Sequence, residues 1–89
     1  MADAWAATRN LLARSVRERR LLLEISQSDL ARLSGVSLRR IQQIESESEL
    51  ANPSLRVLFQ LAASLNTTVS ALLNPDRNAR ATRKRAPKN

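Results

Sequence analysis

The stretch 38–46, LRRIQQIES, sets two arginines and two glutamines around two isoleucines. Ile41 and Ile44 are three apart, which puts them on one side of a helix. Leu38, Arg39, Gln42 and Gln43 are then left on its outer and N-terminal surface. A guanidinium is a planar fork of donors, and a glutamine amide places a donor beside an acceptor. Such a face suits flat, polar hydrogen-bonding partners. Carried on the second of two short helices joined by a tight turn, it makes DNA binding the leading expectation.

Other chemistries lack their residues. The chain has no His and no Cys, which removes the usual general base, the commonest metal ligand, any thiolate site and any disulfide. There is no P-loop, and the seven carboxylates of residues 1–73 are scattered without a paired helical arrangement. An enzyme, a metal site and a cofactor are therefore not expected. Trp5 and Phe59, the only aromatic residues, stand too far apart to form the stacking platform that single-stranded nucleic acid or sequence-specific RNA recognition uses.

The elements that must position the Arg/Gln face follow from spacing and caps. At 89 residues with 43% hydrophobic content, the chain has room for one small core. Alternating apolar–polar strand patterns are missing, so the fold is expected to be all-α. A first helix spans about 3–22, opened by Ala2 or Asp3, with Trp5, Leu12, Val16 and Leu23 at helical spacing. Trp5 is expected to cover one end of the core; a partner contact is its other reading. Arg9, Arg14, Arg17 and Arg19 lie largely off the apolar stripe, as a solvated basic face or, for one or two of them, as phosphate contacts.

The second helix has a full set of start signals. Ser26 is the N-cap, Asp29 can close a capping box, and Ile25 and Leu30 form a hydrophobic staple. Leu30, Ala31 and Leu33 supply apolar contacts, with Ala31 small where two helices approach closely. The turn is Ser34-Gly35-Val36, and Gly35 is the chain's only glycine, placed where a left-handed residue must end a helix. Ser37 caps the third helix, and Val36 and Ile41 form its staple.

Residues 46–52 read as a polar loop. Asn52 caps a fourth helix with Pro53 at its first position, or Ser54 does. Leu55, Leu58, Leu61, Ala62 and Leu65 form its apolar face, and Asn66 is a left-handed stop. Thr68 caps a short fifth helix, with Val69, Leu72 and Leu73 inward, ended by Asn74-Pro75.

The net charge of +7 is uneven. Residues 1–73 hold nine Lys/Arg and seven Asp/Glu, whereas 74–89 hold six Lys/Arg and Asp76. Residues 1–74 are read as the folded domain. Residues 75–89 are read as a disordered basic tail, either simply solubilising or an arm that adds non-specific affinity for a polyanion. The start MADAWAAT lacks the pattern of a signal peptide, and no apolar run approaches the ~20 residues of a membrane span. The expected compartment is the cytoplasm, at the nucleoid.

Between about 12 and 73 the chain resembles the Cro/phage-repressor (XRE-like) family of DNA-binding domains. The matching residues are Arg17 and Arg20, then Ser26-Gln27, Leu30-Ala31, Gly35-Val36-Ser37, Ile41 and Ile44-Glu45. Pro53-Ser54-Leu55, Leu58, Leu61-Ala62 and Leu65 continue the match. The resemblance implies a lambda-repressor-like fold of five helices with the helix-turn-helix at the second and third.

It also implies roles. Leu38, Arg39, Gln42 and Gln43 fall on base-reading positions. Arg39 suits guanine O6 and N7, Gln43 suits adenine N6 and N7, and Leu38 has only apolar contact to offer, for instance with a thymine methyl. Gln27, Arg40, Ser37, Arg17 and Arg9 are the implied phosphate contacts. Gln27 would also brace the third helix, and Arg20 and Glu45 would form a partly buried ion pair. The loop after the third helix departs from the family: where relatives carry a glycine it reads Ser46-Glu47-Ser48-Glu49, and its carboxylates should repel the DNA backbone or turn the loop away.

The expected function is a sequence-specific regulator on double-stranded DNA, acting as a homodimer on an inverted repeat, with Phe59 either core or dimer surface. Two alternatives within reach of the resemblance are an antitoxin that also binds a toxin protein, and the controller of a restriction–modification system.

Overall fold

A computed structural model describes residues 3–74. The expectations for the tail 75–89, and for Ala2 as helix opener, lie outside the described residues. Within them the chain forms five helices and no strand: α1 Ala4–Leu22, α2 Gln27–Ser34, α3 Leu38–Glu45, α4 Leu55–Ser64 and α5 Val69–Leu73.

Each helix starts with a side-chain cap. The oxygens of Asp3, Ser26, Ser37, Ser54 and Thr68 accept from the amides of Ala6, Asp29, Arg40, Val57 and Ala71 at 2.9–3.1 Å. At α2 the capping box is complete, because Ser26 N–H also donates to Asp29 Oδ2 at 3.0 Å. At α4 the cap is Ser54, and Asn52 is not used. Pro53 therefore precedes the cap, where its ring favours extended chain on the residue before it.

Left-handed residues end four of the helices. Gly35 (φ 77°) follows α2, Glu24 (φ 58°) follows α1, Glu47 (φ 60°) follows α3 and Asn66 (φ 56°) follows α4. A side chain at Gly35 would have room, since an added Cβ would meet only Gln60 Nε2 at 3.8 Å. The constraint there is the backbone angle.

The core lies where α1 packs on α3 and α5, and α2 on α3 and α4. Leu12, Val16, Leu30, Val36, Ile41, Ile44, Leu58, Leu61, Ala62, Leu65 and Leu72 fill it. Ala51 joins them from the loop that the sequence marks as polar, held by its amide on Ser48 O at 2.9 Å.

Four large apolar residues, Trp5, Leu23, Leu33 and Leu55, depart from expectation, and Phe59 takes one of its two readings. Trp5 is 45% exposed, because the first buried residue of α1 is Leu12, two turns later. Leu23 is exposed at the C-cap, since the inward positions of the last turns go to Arg19 and Arg20. Leu33 is exposed because α2 turns Ser34 inward, where its hydroxyl accepts from Val36 N–H at 3.1 Å. Leu55 and Phe59, one turn apart on α4, are 73% and 65% exposed. They lie off the face formed by Leu58, Leu61, Ala62 and Leu65, so Phe59 is not core.

Candidate nucleic-acid interface

The site is built on α3, a helix of eight residues, too short to hold its shape alone. Its inner face, Ile41 and Ile44, is fully buried. Its N-terminus is closed by Ser37, whose hydroxyl is occupied by Arg40 N–H. Arg39, Arg40 and Gln42 are exposed, Leu38 is 37% exposed and Gln43 is half-buried. Arg39 and Gln42 therefore project freely. Arg40 and Gln43 border a shallow depression of about 110 Å³ against the loop residues Leu50 and Asn52.

The far end of α3 is gripped by three side chains from two other helices. Arg20 Nε and Nη2 donate to Glu45 Oε2 and Oε1, both at 2.9 Å, while Arg20 Nη1 donates to Ile25 O at 3.1 Å. Gln27 Nε2 donates to the same Oε1 at 3.2 Å. Arg17 Nη2 donates to the backbone carbonyl of Glu45 at 2.9 Å. The pair is largely out of solvent, at 13% and 6% side-chain exposure. The hydrogen bonds to Glu45 hold the Arg20 guanidinium above its ordinary pKa, against the opposing effect of burial.

The arginines of α1 thus do not behave alike: Arg14 and Arg17 are exposed, Arg9, Arg19 and Arg20 partly buried. Arg17 and Arg20 bind the end of α3. Arg19 donates from Nε and Nη2 to Leu65 O, and from Nη2 to Asn66 O at 2.9 Å, at the end of α4. Arg14 remains exposed. Arg9 lies eight residues, about 12 Å, back along α1 from Arg17. It is half-buried, with its Nε shielded from solvent and unpartnered.

Of the residues singled out in the sequence, the fold gathers Arg17, Arg20, Gln27 and Glu45 at one point. It spreads Leu38, Arg39, Arg40, Gln42 and Gln43 along the helix that they anchor, and leaves Arg9 apart. Glu47 and Glu49 are exposed just beyond α3, in no ion pair among the described residues. The described residues contain no group of three or more potential metal ligands. None of their helices is long and apolar enough to cross a membrane.

A short capped helix, a glycine turn and a second helix with a polar outer face are the geometry of a helix-turn-helix. The family model of that name matches residues 16–72. The chain belongs to the XRE-type helix-turn-helix family. Its fold is accordingly that of a DNA-binding regulator. The family match takes in α2 to α4 entire and leaves the N-terminal part of α1, with Trp5 and Arg9, outside it. No curated protein matches the chain. In this XRE-type domain Glu47 occupies the left-handed position after α3 that a glycine would occupy without strain.

Proposed function

We propose that the protein is a sequence-specific transcriptional regulator that lays α3 in the major groove of double-stranded DNA. The observation that carries this reading is the two-sidedness of α3: Ile41 and Ile44 are locked in the core while Arg39 and Gln42 project into solvent. Arg39 reads guanine, and Gln42 and Gln43 read adenine where each reaches a base edge. Leu38 makes apolar contact. Arg40, Gln27 and the amides at the starts of α2 and α3 face phosphates, with the Ser37 cap beside them. Residues 1–74 act as the DNA-binding domain, and the basic stretch 75–89 adds affinity independent of sequence.

The acting form is a homodimer on an inverted repeat, with two copies of α3 about 34 Å apart. Leu55 and Phe59 on the open face of α4 are the surface we assign to the second copy, since paired apolar exposure at i, i+4 suits helix–helix contact.

Selection of bound duplexes from a random pool tests the reading. An enriched inverted repeat is expected; absence of any enriched motif would overturn it. On the selected site, Arg39→Ala should cost about 1–3 kcal/mol and relax the preference at one base pair. An equal loss on random DNA would remove Arg39 from the base-reading set.

The exposure of Trp5, outside the family match, supports a second reading. In it the same DNA-binding protein is also an antitoxin that holds a toxin protein through the start of α1. Co-expression with the product of the adjacent gene, followed by purification of the full chain, discriminates the two. A stable heteromeric complex that Trp5→Ala abolishes supports the antitoxin.

A further inference from the structure

Arg17 is the one side chain from another helix, among the described residues, that bonds a backbone carbonyl of α3. The carbonyls at a helix end need partners, and those of α3 can be followed one by one. Gln42 O accepts from Ser46 N–H at 3.0 Å. Gln43 O accepts from Ser48 N–H at 3.3 Å and from the Ser46 hydroxyl at 3.1 Å. Ile44 O accepts from Glu47 N–H at 3.3 Å. Glu45 O, the last, takes Arg17 Nη2 at 2.9 Å.

The two 3.3 Å bonds depend on Glu47 holding a left-handed angle that its Cβ opposes. The chain's own closure of α3 is therefore weak, and the cation of Arg17 sits at the negative pole of the helix dipole, where it stabilises. Arg20 and Gln27 hold the side chain of the same residue. Glu45 is thereby tied through both its backbone and its carboxylate, which fixes both the axial position and the rotation of α3.

We propose that Arg17 is a positioning residue for base recognition: by closing the end of α3 from α1, it sets where Arg39 and Gln42 meet the groove. It then acts on discrimination between sequences and not on attraction to phosphate, which replaces the phosphate contact that the family resemblance implies for it. This rests on the reading of α3 as the base-reading helix.

The two roles differ in measurable ways. A phosphate contact, when removed, weakens binding to all sequences equally and lowers the salt slope by about one. A positioning residue changes the preference and leaves the slope alone. The test compares the full chain with Arg17→Met, and with Arg14→Met as a control that removes the same charge from an equally exposed α1 residue without a bond to α3. Each is bound to the selected duplex, to its single-base-pair variants and to a random duplex over a range of salt. Amide hydrogen exchange at Glu47 and Ser48 is followed in the free proteins.

For Arg17→Met the expected result is a roughly ten-fold loss on the selected duplex, with random-duplex affinity and salt slope unchanged. Exchange at Glu47 and Ser48 should be several-fold faster. Arg14→Met should leave discrimination and exchange as they are. Equal losses on both duplexes with the slope reduced by about one would overturn the proposal in favour of a phosphate contact. Unchanged binding and exchange would overturn it in favour of a surface bond without consequence. If the unaltered chain selects no motif, the base-reading role of α3 falls and the proposal with it; the exchange rates then still show separately whether Arg17 closes the helix.

Discussion

Arg19 on α1 and Leu65 at the end of α4 are joined by a forked contact: Nε and Nη2 both donate to the Leu65 carbonyl, at 3.2 and 3.0 Å. Nη2 also reaches Asn66 O at 2.9 Å. A cation at the negative end of a helix, bonded to carbonyls that the helix leaves open, stabilises through both charge and hydrogen bonding. Arg19→Met should lower the unfolding free energy by about 1–2 kcal/mol, read from urea denaturation. The salt dependence of DNA binding should not move. A loss of one unit of salt slope at unchanged stability would instead place Arg19 against phosphate.

The contrast between the caps and these arginines shows what the sequence makes legible. Ser26, Ser37 and Thr68 act on amides three residues away, and Gly35 and Asn66 act through their own backbone angles, so short patterns reveal them. Arg17 and Arg19 bind carbonyls 28 and 46 residues distant, and any exposed arginine has the same local pattern. The Arg20–Glu45 pair was readable only through family resemblance, never from spacing. Trp5, Leu33 and Leu55 show a second limit. Periodicity says which residues share a helix face, but not how far the neighbouring helix extends to cover it. The same limit applies to the outer face of α3, where burial separates the open Gln42 from the half-buried Gln43 although both read as outward.

Arg20 and Glu45 hold α1 and α3 together in an almost dry site. Two desolvated charges offset much of their own attraction, so the pair as a unit adds little, whereas losing one partner strands the other. Arg20→Met and Glu45→Leu should each destabilise by about 3–5 kcal/mol. The double variant should recover a substantial part of the summed loss, giving a coupling of at least ~1 kcal/mol in a double-mutant cycle. Additive losses would show that the two side chains act independently, despite the bidentate geometry.

Asp29 gives the capping box a pH dependence of known sign. The Ser26 backbone N–H, then the Ser26 hydroxyl and Arg32, hold its carboxyl below the ordinary 3.8. The unfolded chain therefore takes up the proton first as pH falls. The stabilisation is complete above about 3.8 and is lost as pH falls through the lower, folded value. Melting temperatures of the full chain across the acid range should fall more steeply than those of Asp29→Asn. Titration of the Asp29 carboxyl followed by NMR should give a midpoint below the ordinary one. Parallel acid limbs for the two proteins would mean that the box does not survive in solution.

Glu24 and Glu47 occupy equivalent positions at the ends of α1 and α3, with φ of 58° and 60°. In each case the residue's amide and the next one turn back onto the helix. Glu24 N–H donates to Leu21 O and Ile25 N–H to Arg20 O, both at 3.1 Å, and Glu47 and Ser48 do the same on Ile44 and Gln43. Glycine adopts this angle without the cost of a Cβ, though its unfolded chain is freer. Glu24→Gly and Glu47→Gly should each therefore raise stability by about 0.5–1 kcal/mol. Glu47 also adds a negative charge at the end of the proposed base-reading helix. Removing it should tighten binding by up to about five-fold at low salt, on selected and random duplexes alike, with the gain shrinking as salt rises. Glu47→Gln serves as the control that removes the charge and keeps the backbone cost: it should tighten binding as much without raising stability. If only Glu47→Gly tightens binding, the gain comes from a more stable fold. If Glu47→Gly stabilises without tightening, the loop carries its carboxylate away from the phosphates.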